Sequence, residues 1–394
     1  MHTETVEIKA SEGVIHYERG RTAHSAFGIP IQETDVGLQS KVGLHSGRAE
    51  LLREAAIIIW EELPMAKKAV LECANQLLQD IMGNDLPFGD KLFIGLGDFR
   101  QVAPVIRGSS GPAATLNSSI RTSELWHHFQ ILRLTLPVRD AGDPAYSRWV
   151  DQVGDGRAPY EGSVSLQHLR HLASLDDAAN SLFLDDALQT SPDAVQRAFL
   201  SPFNARVDSF NGRMLEYLSG PASISLPLLV KELDDATFHL PTGTKADLLS
   251  MVRESGVPPH DLSLKKGCIA SIMRNLCTEK GLAKNQLKPI SEPAHLTFYL
   301  PRITFEFKPQ RANWTVQRRQ FPLRLAYATT FNSCQGLTLD RVVLDLTVPV
   351  FAHGQLYTSL SRVRTAADIC ILRDLDETGY STVNIVYHDL LLPV

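Results

Sequence analysis

The chain has 394 residues, of which 44% are hydrophobic and 21% charged, with a formal net charge of −5 and five cysteines. The length fits two or three domains of about 150 residues, and the apolar fraction excludes the disordered class. The chain reads as reduced, soluble and intracellular, for three reasons: no run nears the ~18 apolar residues of a membrane span, the start MHTETVEIKASEG lacks a secretory layout, and no CxxC pair marks a disulfide scaffold or zinc module.

Residues 48–56 carry helical spacing, and residues 66–82 carry it more strongly, with Ala69, Leu71, Ala74, Leu77, Leu78 and Ile81 at three- and four-residue intervals. Between them Ile57-Ile58-Ile59-Trp60 predicts a short strand. Its residues are apolar consecutively, as in a parallel strand covered on both faces. Leu92-Phe93-Ile94-Gly95-Leu96 is a second such run. The Gly/Pro/Ser-rich stretch 108–118 predicts a surface loop. Residues 135–165, with Pro137, Pro144, Gly154, Gly156 and Pro159, suit a crossing between domains. Residues 222–310 break the rhythm with Pro-Thr-Gly and Val-Pro-Pro-His and predict a small β-rich insert. Leu323–Ala328, Val342–Leu346 and Ile369–Leu372 are further strand candidates, with a helix around Gly354–Ser361. Strands alternating with helices predict α/β layers with parallel sheets. The division is 1–134, a connecting helical segment 135–195, a second layer 196–221 with 311–394, and the insert 222–310.

Net acidity does not decide partners, because local charge does. Arg302, Lys308, Arg311, Arg318, Arg319 and Arg324 crowd one stretch, and Lys265, Lys266, Arg274, Lys280, Lys284 and Lys288 another. Such a region tracks a phosphate backbone or is simply a solvated surface; charge alone leaves both open.

Ligands of open parallel sheets sit beyond the C-terminal strand ends. The first strand ends in Glu61-Glu62, and the second in Gly97-Asp98-Phe99-Arg100-Gln101. Adjacent carboxylates can hold Mg²⁺ and orient a water for nucleotide hydrolysis; Asp98 can brace a metal-bound water, and Gln101 can bond a terminal phosphate. Downstream, Ala328–Gly336 follows a strand with a polar loop that can present N–H groups and the Gln335 amide to phosphates, with Gly336 beside it. Arg362 and Arg364 fall at the end of the Gly354–Ser361 helix. An arginine meeting a γ-phosphate across a cleft and a surface ion pair are both open readings of Arg362.

The ordered series GRTAHS (20–25), IIIWEE (57–62), GDFRQVAPV (97–105), LTLPVR (134–139), SPFNARVDSFN (201–211), SGVPPHDLSLKKG (255–267), MRNL (273–276), FPLRLAYATTFNSCQGLTL (321–339) and FAHGQLYTSLSRV (351–363) resembles the Pif-type DNA helicases of superfamily one, in particular the Helitron subgroup. The resemblance covers nearly the whole chain. It implies two RecA-like parallel-sheet domains, ATP and Mg²⁺ as cofactors, a small β-barrel insert, and 5′-to-3′ movement on single-stranded DNA. It also implies genome maintenance (repair, recombination, telomere upkeep) or transposon replication, action on DNA junctions, a monomer, and a nuclear location. Glu61 and Glu62 then correspond to the metal-binding and water-polarising acids, Gln101 to the γ-phosphate sensor, and Arg139 and Arg362 to the arginines meeting the nucleotide. Thr22, His24, Asn204 and Gln335 fall in segments of DNA tracking or domain coupling, while Lys265, Arg318 and Arg319 are DNA-contact candidates.

The departures are as specific. A phosphate loop needs G-x-x-x-x-G-K-[ST], and none of the 25 glycines is followed by lysine. Only 19 residues precede Gly20, so the first domain reads as incomplete, its first strand, phosphate loop and helix missing or replaced by an unrelated start. The family's Asp-Glu reads Glu61-Glu62, its Asn-Met-Arg reads Pro137-Val138-Arg139, and its Asn-Lys-Ser-Gln-Gly reads Asn332-Ser333-Cys334-Gln335-Gly336. Removing a parallel strand exposes its neighbours, so the first domain is expected to be marginal or aggregation-prone alone. Three readings compete: an ATP-dependent helicase, a non-hydrolysing DNA-binding remnant, and a metal-dependent nuclease on Glu61, Glu62 and Asp98.

Overall fold

The computed structural model describes residues 6–9, 21–30, 37–104, 106, 111–136, 138–139, 142–183, 192–225, 229–233, 256–277, 282, 287–289, 298–307, 315–374 and 379–393. They fall into two compact units, Met1–Ala173 with Thr330–Val394, and Ser174–Thr329. The sequence boundaries at 134, 195 and 310 do not coincide with this division, because residues after 330 bond the first unit directly. Val102 N donates to Thr358 Oγ1 at 3.1 Å, Tyr146 Oη to Leu360 O at 2.8 Å, and Asn384 Nδ2 to Val153 O at 2.9 Å.

In chain order the first unit begins β1 (Val6–Lys9), β2 (Arg21–Thr22), α1 (Ala23–Ala26), α2 (Gly47–Glu54), β3 (Ile57–Glu61), α3 (Lys68–Met82) and β4 (Leu92–Gly95). It continues α4 (Pro112–Ser118), α5 (Pro144–Asp155), β5 (Ser163–Ser165) and β6 (Arg170–Leu172). The second unit holds α6 (Leu175–Phe183), β7 (Arg197–Ser201), α7 (Asn204–Tyr217), β8 (Ser223–Ser225), β9 (Leu229–Leu233), β10 (Leu262–Leu264), β11 (Ile269–Ile272), β12 (Leu287–Pro289), β13 (Ile303–Phe307), β14 (Thr315–Gln320), β15 (Leu323–Leu325) and β16 (Ala328–Thr330). The chain closes with β17 (Arg341–Asp345), α8 (Gln355–Leu360), β18 (Ile369–Leu372) and β19 (Ser381–Val383).

The first sheet is parallel, in the order β2-β1-β3-β4. Its core forms because α3 places Val70, Leu71, Ala74, Leu77, Leu78 and Ile81 on one buried face. The helix ends at Gly83, whose left-handed φ of 67° lets its N–H cap Gln79 O. Against that face lie Ile58 and Trp60 of β3, with Phe93 of β4 packed beside them. Phe27 stacks on Trp60 at 5.6 Å and Phe88 on Phe93 at 4.0 Å. Each buried Leu, Ile or Phe contributes roughly 1.5–3 kcal/mol.

The other face departs from the expectation of cover on both sides. Strand side chains alternate between faces, so Ile57 and Ile59 point away from this core. Their register partners Leu92 and Ile94 do the same and are 57% and 37% exposed, with Leu96 following at 43%. Among the described residues β4 is the edge strand.

Within the same unit β17, β18 and β6 run parallel, and β5 pairs antiparallel with β19. Two of these strands lie in the segment read as a helical connection, since three-residue strands are too short for periodicity to register. The stretch 108–118 likewise contains a helix, α4, begun at Pro112, where a missing N–H costs nothing. In the second unit Phe199 N donates to Tyr327 O at 3.0 Å, and Asn211 Oδ1 accepts from Tyr327 N and Ala328 N. The remaining strands pair antiparallel: β8 with β10, β12-β11-β15, and β13-β14-β9. Trp314, Lys308 and Arg311 lie outside the described residues. No helix among the described residues is long and apolar enough to cross a membrane.

Candidate functional site

The ends of β3 and β4 are locked together. Leu96 N donates to Trp60 O at 2.8 Å and Leu63 N to Leu96 O at 2.9 Å. The loop after β4 runs so close to Leu63-Pro64 that a Cβ at Gly95 would lie 2.3 Å from Leu63 Cδ2, and one at Gly97 2.2 Å from Pro64 Cδ. Between these contacts Glu62 sits at φ 53°, in the left-handed region, a conformation that costs a non-glycine residue about 1–3 kcal/mol. The strain turns its carboxylate to Gln335, whose Nε2 donates to Glu62 Oε2 at 2.6 Å. Gly336 follows, and a Cβ there would lie 4.0 Å from Glu62 Oε1. Burial pushes the Glu62 carboxyl above its ordinary value; Asp98 and Glu61 add to the rise, against the Gln335 bond and the Arg362 charge.

Asp98 is held by a cluster. Arg100 donates to it from N at 2.9 Å and Nε at 3.1 Å, and Tyr357 Oη donates to Asp98 Oδ2 at 2.6 Å. Arg100 also pairs with Asp151 at 2.6 Å and lies over the Tyr357 ring at 4.9 Å. Burial, then Asp98, holds the Tyr357 phenol well above its ordinary range. Asp98 is thus occupied by protein partners rather than open to a metal-bound water. His353 Nε2 donates to Phe99 O at 2.9 Å while its Nδ1 accepts from Tyr387 N at 2.9 Å, which fixes a neutral ring. Gly354, at φ 71°, has room for no side chain: a Cβ would lie 2.4 Å from Arg100 O. By these contacts α8 is pressed onto the loop that carries Gln101.

Arg362 does not project. It is 1% exposed, and its guanidinium donates to Thr358 O at 2.7 Å, Leu337 O at 3.2 Å and Ser361 Oγ at 2.7 Å. Arg364 instead makes an exposed pair with Asp340 at 2.6 Å. Arg139 is exposed and donates to Ser361 O at 2.7 Å. Both Arg362 and Arg139 act on the buried Cys334 thiol, which burial pushes up to about 11 against their charges.

Two atoms point to a ligand. The side-chain carbonyl oxygens of Gln101 and Gln335 are buried and make no hydrogen bond in the structure. An orphaned buried acceptor costs about 1–3 kcal/mol. Gln335 lies against Glu62, and together they offer acceptors suited to a water or a hydrated cation. Among the described residues no three His, Cys, Asp or Glu cluster as a metal cage. Hydrated Mg²⁺ needs none, since one or two carboxylates with water and phosphate oxygens suffice. Glu61 and Glu62 fit that demand.

Residues 1–163 match the family described as PIF1-like helicase. That stretch is similar to Pif-type helicases. The chain is 25% identical over 364 residues to the ATP-dependent DNA helicase Pif1 of Bdellovibrio bacteriovorus, covering 90% of this chain and 74% of that protein. With the ATP-dependent DNA helicase PIF1 of Xenopus laevis it shares 23% identity over 372 residues, 90% of this chain but 52% of the relative, so it spans about half that protein. The crystal structure of Pif1 helicase from Bacteroides in complex with ADP-AlF3 and ssDNA superposes with a TM-score of 0.64 at 20% identity, over 100% of this chain and 86% of that one. The α/β class with RecA-like parallel sheets is the fold they share.

The structure brings Glu62, Gln335, Gly336, Arg139 and Arg362 to one region of the first unit, with Gln101 bonded to Asp98 in the loop after β4. Thr22 caps α1, its Oγ1 accepting from Ser25 N at 3.3 Å, and His24 lies within that helix. In the second unit Asn204 opens α7 and is exposed. Lys265 donates to Leu218 O at 2.8 Å. Arg318 faces inward, 1% exposed, bonding Pro258 O at 3.0 Å, whereas Arg319 on the opposite face of β14 is exposed. Sequence reasoning gave no role to Tyr357, Arg100 or Asp151, although two of the three lie in quoted motifs.

Proposed function

We propose that the chain acts as an ATP-dependent 5′-to-3′ DNA helicase of the Pif type. What carries the reading is the Glu62–Gln335 hydrogen bond beyond the ends of β3 and β4, with the buried side-chain carbonyls of Gln335 and Gln101 left unpaired. ATP with Mg²⁺ would supply the phosphoryl group whose hydrolysis drives movement. Glu62, its proton affinity raised, would take a proton from the attacking water; the Gln101 and Gln335 carbonyls would orient that water. Glu61 would hold the hydrated Mg²⁺, and the exposed Arg139 would meet developing negative charge. Single-stranded DNA and DNA junctions are the proposed partners, with Arg319 and Asn204 the candidate contacts best placed to reach them. The setting proposed is a nuclear monomer in repair, recombination, telomere maintenance or transposon replication.

A specific observation favours a second reading, a non-hydrolysing DNA-binding remnant: the 394 residues hold no Gly-Lys phosphate loop. Mg²⁺-ATP turnover by the chain, with and without single-stranded DNA, separates the two. DNA-stimulated turnover lowered at least tenfold in Arg139→Ala supports the helicase. No turnover from folded protein that still binds DNA with a steep salt dependence supports the remnant.

A further inference from the structure

His353 is a buried titratable ring, 1% exposed, that takes no part in the proposed hydrolysis. Its two nitrogens face two different segments. Nε2 donates to Phe99 O and Nδ1 accepts from Tyr387 N, both at 2.9 Å, and the ring stacks on Tyr387 at 5.4 Å. Phe99 lies two residues before Gln101, whose N–H closes a turn onto Asp98 O at 3.2 Å. Tyr387 belongs to the segment 384–391, which is anchored on either side of it. Asn384 Nδ2 donates to Val153 O at 2.9 Å and Tyr160 O at 3.0 Å, and Ile385 O accepts from Gly354 N at 3.0 Å. Further on, Arg121 donates to Asp389 O at 2.7 Å and to Leu391 O. The imidazole therefore links a pinned segment to the loop of Gln101.

We infer that His353 is a positioning residue: through its ring the segment 384–391 sets the backbone at Phe99, and with it the place of the Gln101 amide. A neutral imidazole can donate and accept at once, whereas a proton on Nδ1 turns both nitrogens into donors and breaks the link to Tyr387. Asp98 on the loop and His388 on the segment are the charged and titratable groups that act on the ring. Burial holds its pKa below the ordinary value, against the Phe99 carbonyl and the Asp98 charge, and His388 adds to the fall. The link is thus intact at neutral pH and is lost as pH falls through the lowered value. Only the meaning of Gln101 as a phosphate-side amide rests on the helicase reading; the link itself rests on the two hydrogen bonds.

Hydrogen exchange of the full chain, corrected for the intrinsic rate at each pH, tests this alongside NMR of the histidine ring nitrogens. His353→Asn keeps an acceptor near Nδ1, and His353→Gln keeps a donor near Nε2. The expected result is a neutral Nε2–H tautomer at neutral pH. His353→Asn should speed exchange about tenfold at 99–102 alone, and His353→Gln at both 385–388 and 99–102. Acceleration at 385–388 alone in His353→Gln overturns the proposal, because the two bonds would then be independent. Equal acceleration at 342–345 and 369–372 also overturns it, as general loosening. Should the variants fail to fold, wild type decides by its pH profile. Exchange at both segments should rise with the midpoint at which the His353 signal titrates, and a 99–102 segment indifferent to that titration overturns the proposal. Binding of a fluorescent ATP analogue is read separately: its absence with the exchange pattern intact upholds the positioning and sinks only the helicase reading.

Discussion

Tyr357→Phe removes one oxygen atom and tests how the Gln101 loop is tied to α8. Tyr357 Oη donates to Asp98 Oδ2 at 2.6 Å, while Arg100 Nη2 stands at 3.3 Å from the same oxygen. Hydrogen bonds to charged groups contribute about 1.5–3 kcal/mol. The lower end applies, because Asp98 is a quarter exposed and keeps Arg100. The phenyl ring stays, and with it the contact to Arg100, so about 1.5 kcal/mol is expected. In an Asp98→Asn background the same change should cost about 1 kcal/mol less, the coupling of a contacting pair. Urea denaturation followed by tryptophan fluorescence measures this, since Trp60, Trp126 and Trp149 share the unit. A single-variant cost below about 0.5 kcal/mol, with strictly additive double-variant data, would refute the claim that this bond ties the two segments.

Gly354→Ala should lower the melting temperature more than any exposed glycine change. A left-handed φ costs alanine about 1–2 kcal/mol, and the new Cβ meets Arg100 O at 2.4 Å; Gly47→Ala, with open space around it, is the control in the same melt. Asp143 caps α5 by accepting from Tyr146 N at 3.0 Å and also accepts from Ala366 N at 3.1 Å, and these backbone bonds hold its carboxyl below the ordinary value. A depressed carboxyl stabilises above its unfolded pKa and loses that contribution as pH falls through the folded one. Asp143→Ala should therefore cost about 1 kcal/mol at neutral pH, with the gap to wild type closing below about pH 4 in pH-dependent melts. Glu62 has the opposite sign: its raised carboxyl opposes folding once ionised. Glu62→Gln should melt higher than wild type at neutral pH and equal to it below about pH 4, while abolishing any nucleotide turnover.

The β3 and β4 strands and α3 are legible in the sequence because their patterns are local: four consecutive apolar residues before Glu61, and helical spacing from Ala69 to Ile81. The meeting of Glu62 with Gln335 is less so, for 273 positions separate them. Only the order of motifs hinted that both belong to one site. The Asp98–Tyr357 bond spans 259 positions and could not be read from either motif alone. Counting basic residues gave charge without direction. The two-residue period of β14 turns Arg318 inward onto Pro258 and leaves Arg319 outside, so adjacent arginines have different uses. The apolar runs, by contrast, imply two covered faces, and among the described residues one is covered.

Arg362 changes how function in this chain has to be tested. An arginine set across a cleft can be removed and the loss assigned to chemistry. Here the guanidinium is buried and joins Thr358 and Leu337, with Cys334 O at 3.4 Å completing its carbonyl ring. Truncating it empties a buried site and takes a donor from Leu337 O, although Thr358 O keeps Ser361 Oγ and Cys334 O keeps Leu337 N. Loss of turnover in Arg362→Ala would therefore report first on folding. Arg139 bonds Ser361 O from an exposed position, so its removal takes no buried side chain from the core. Of the two arginines, the exposed one is the better probe of turnover, because removing the buried one also disturbs stability.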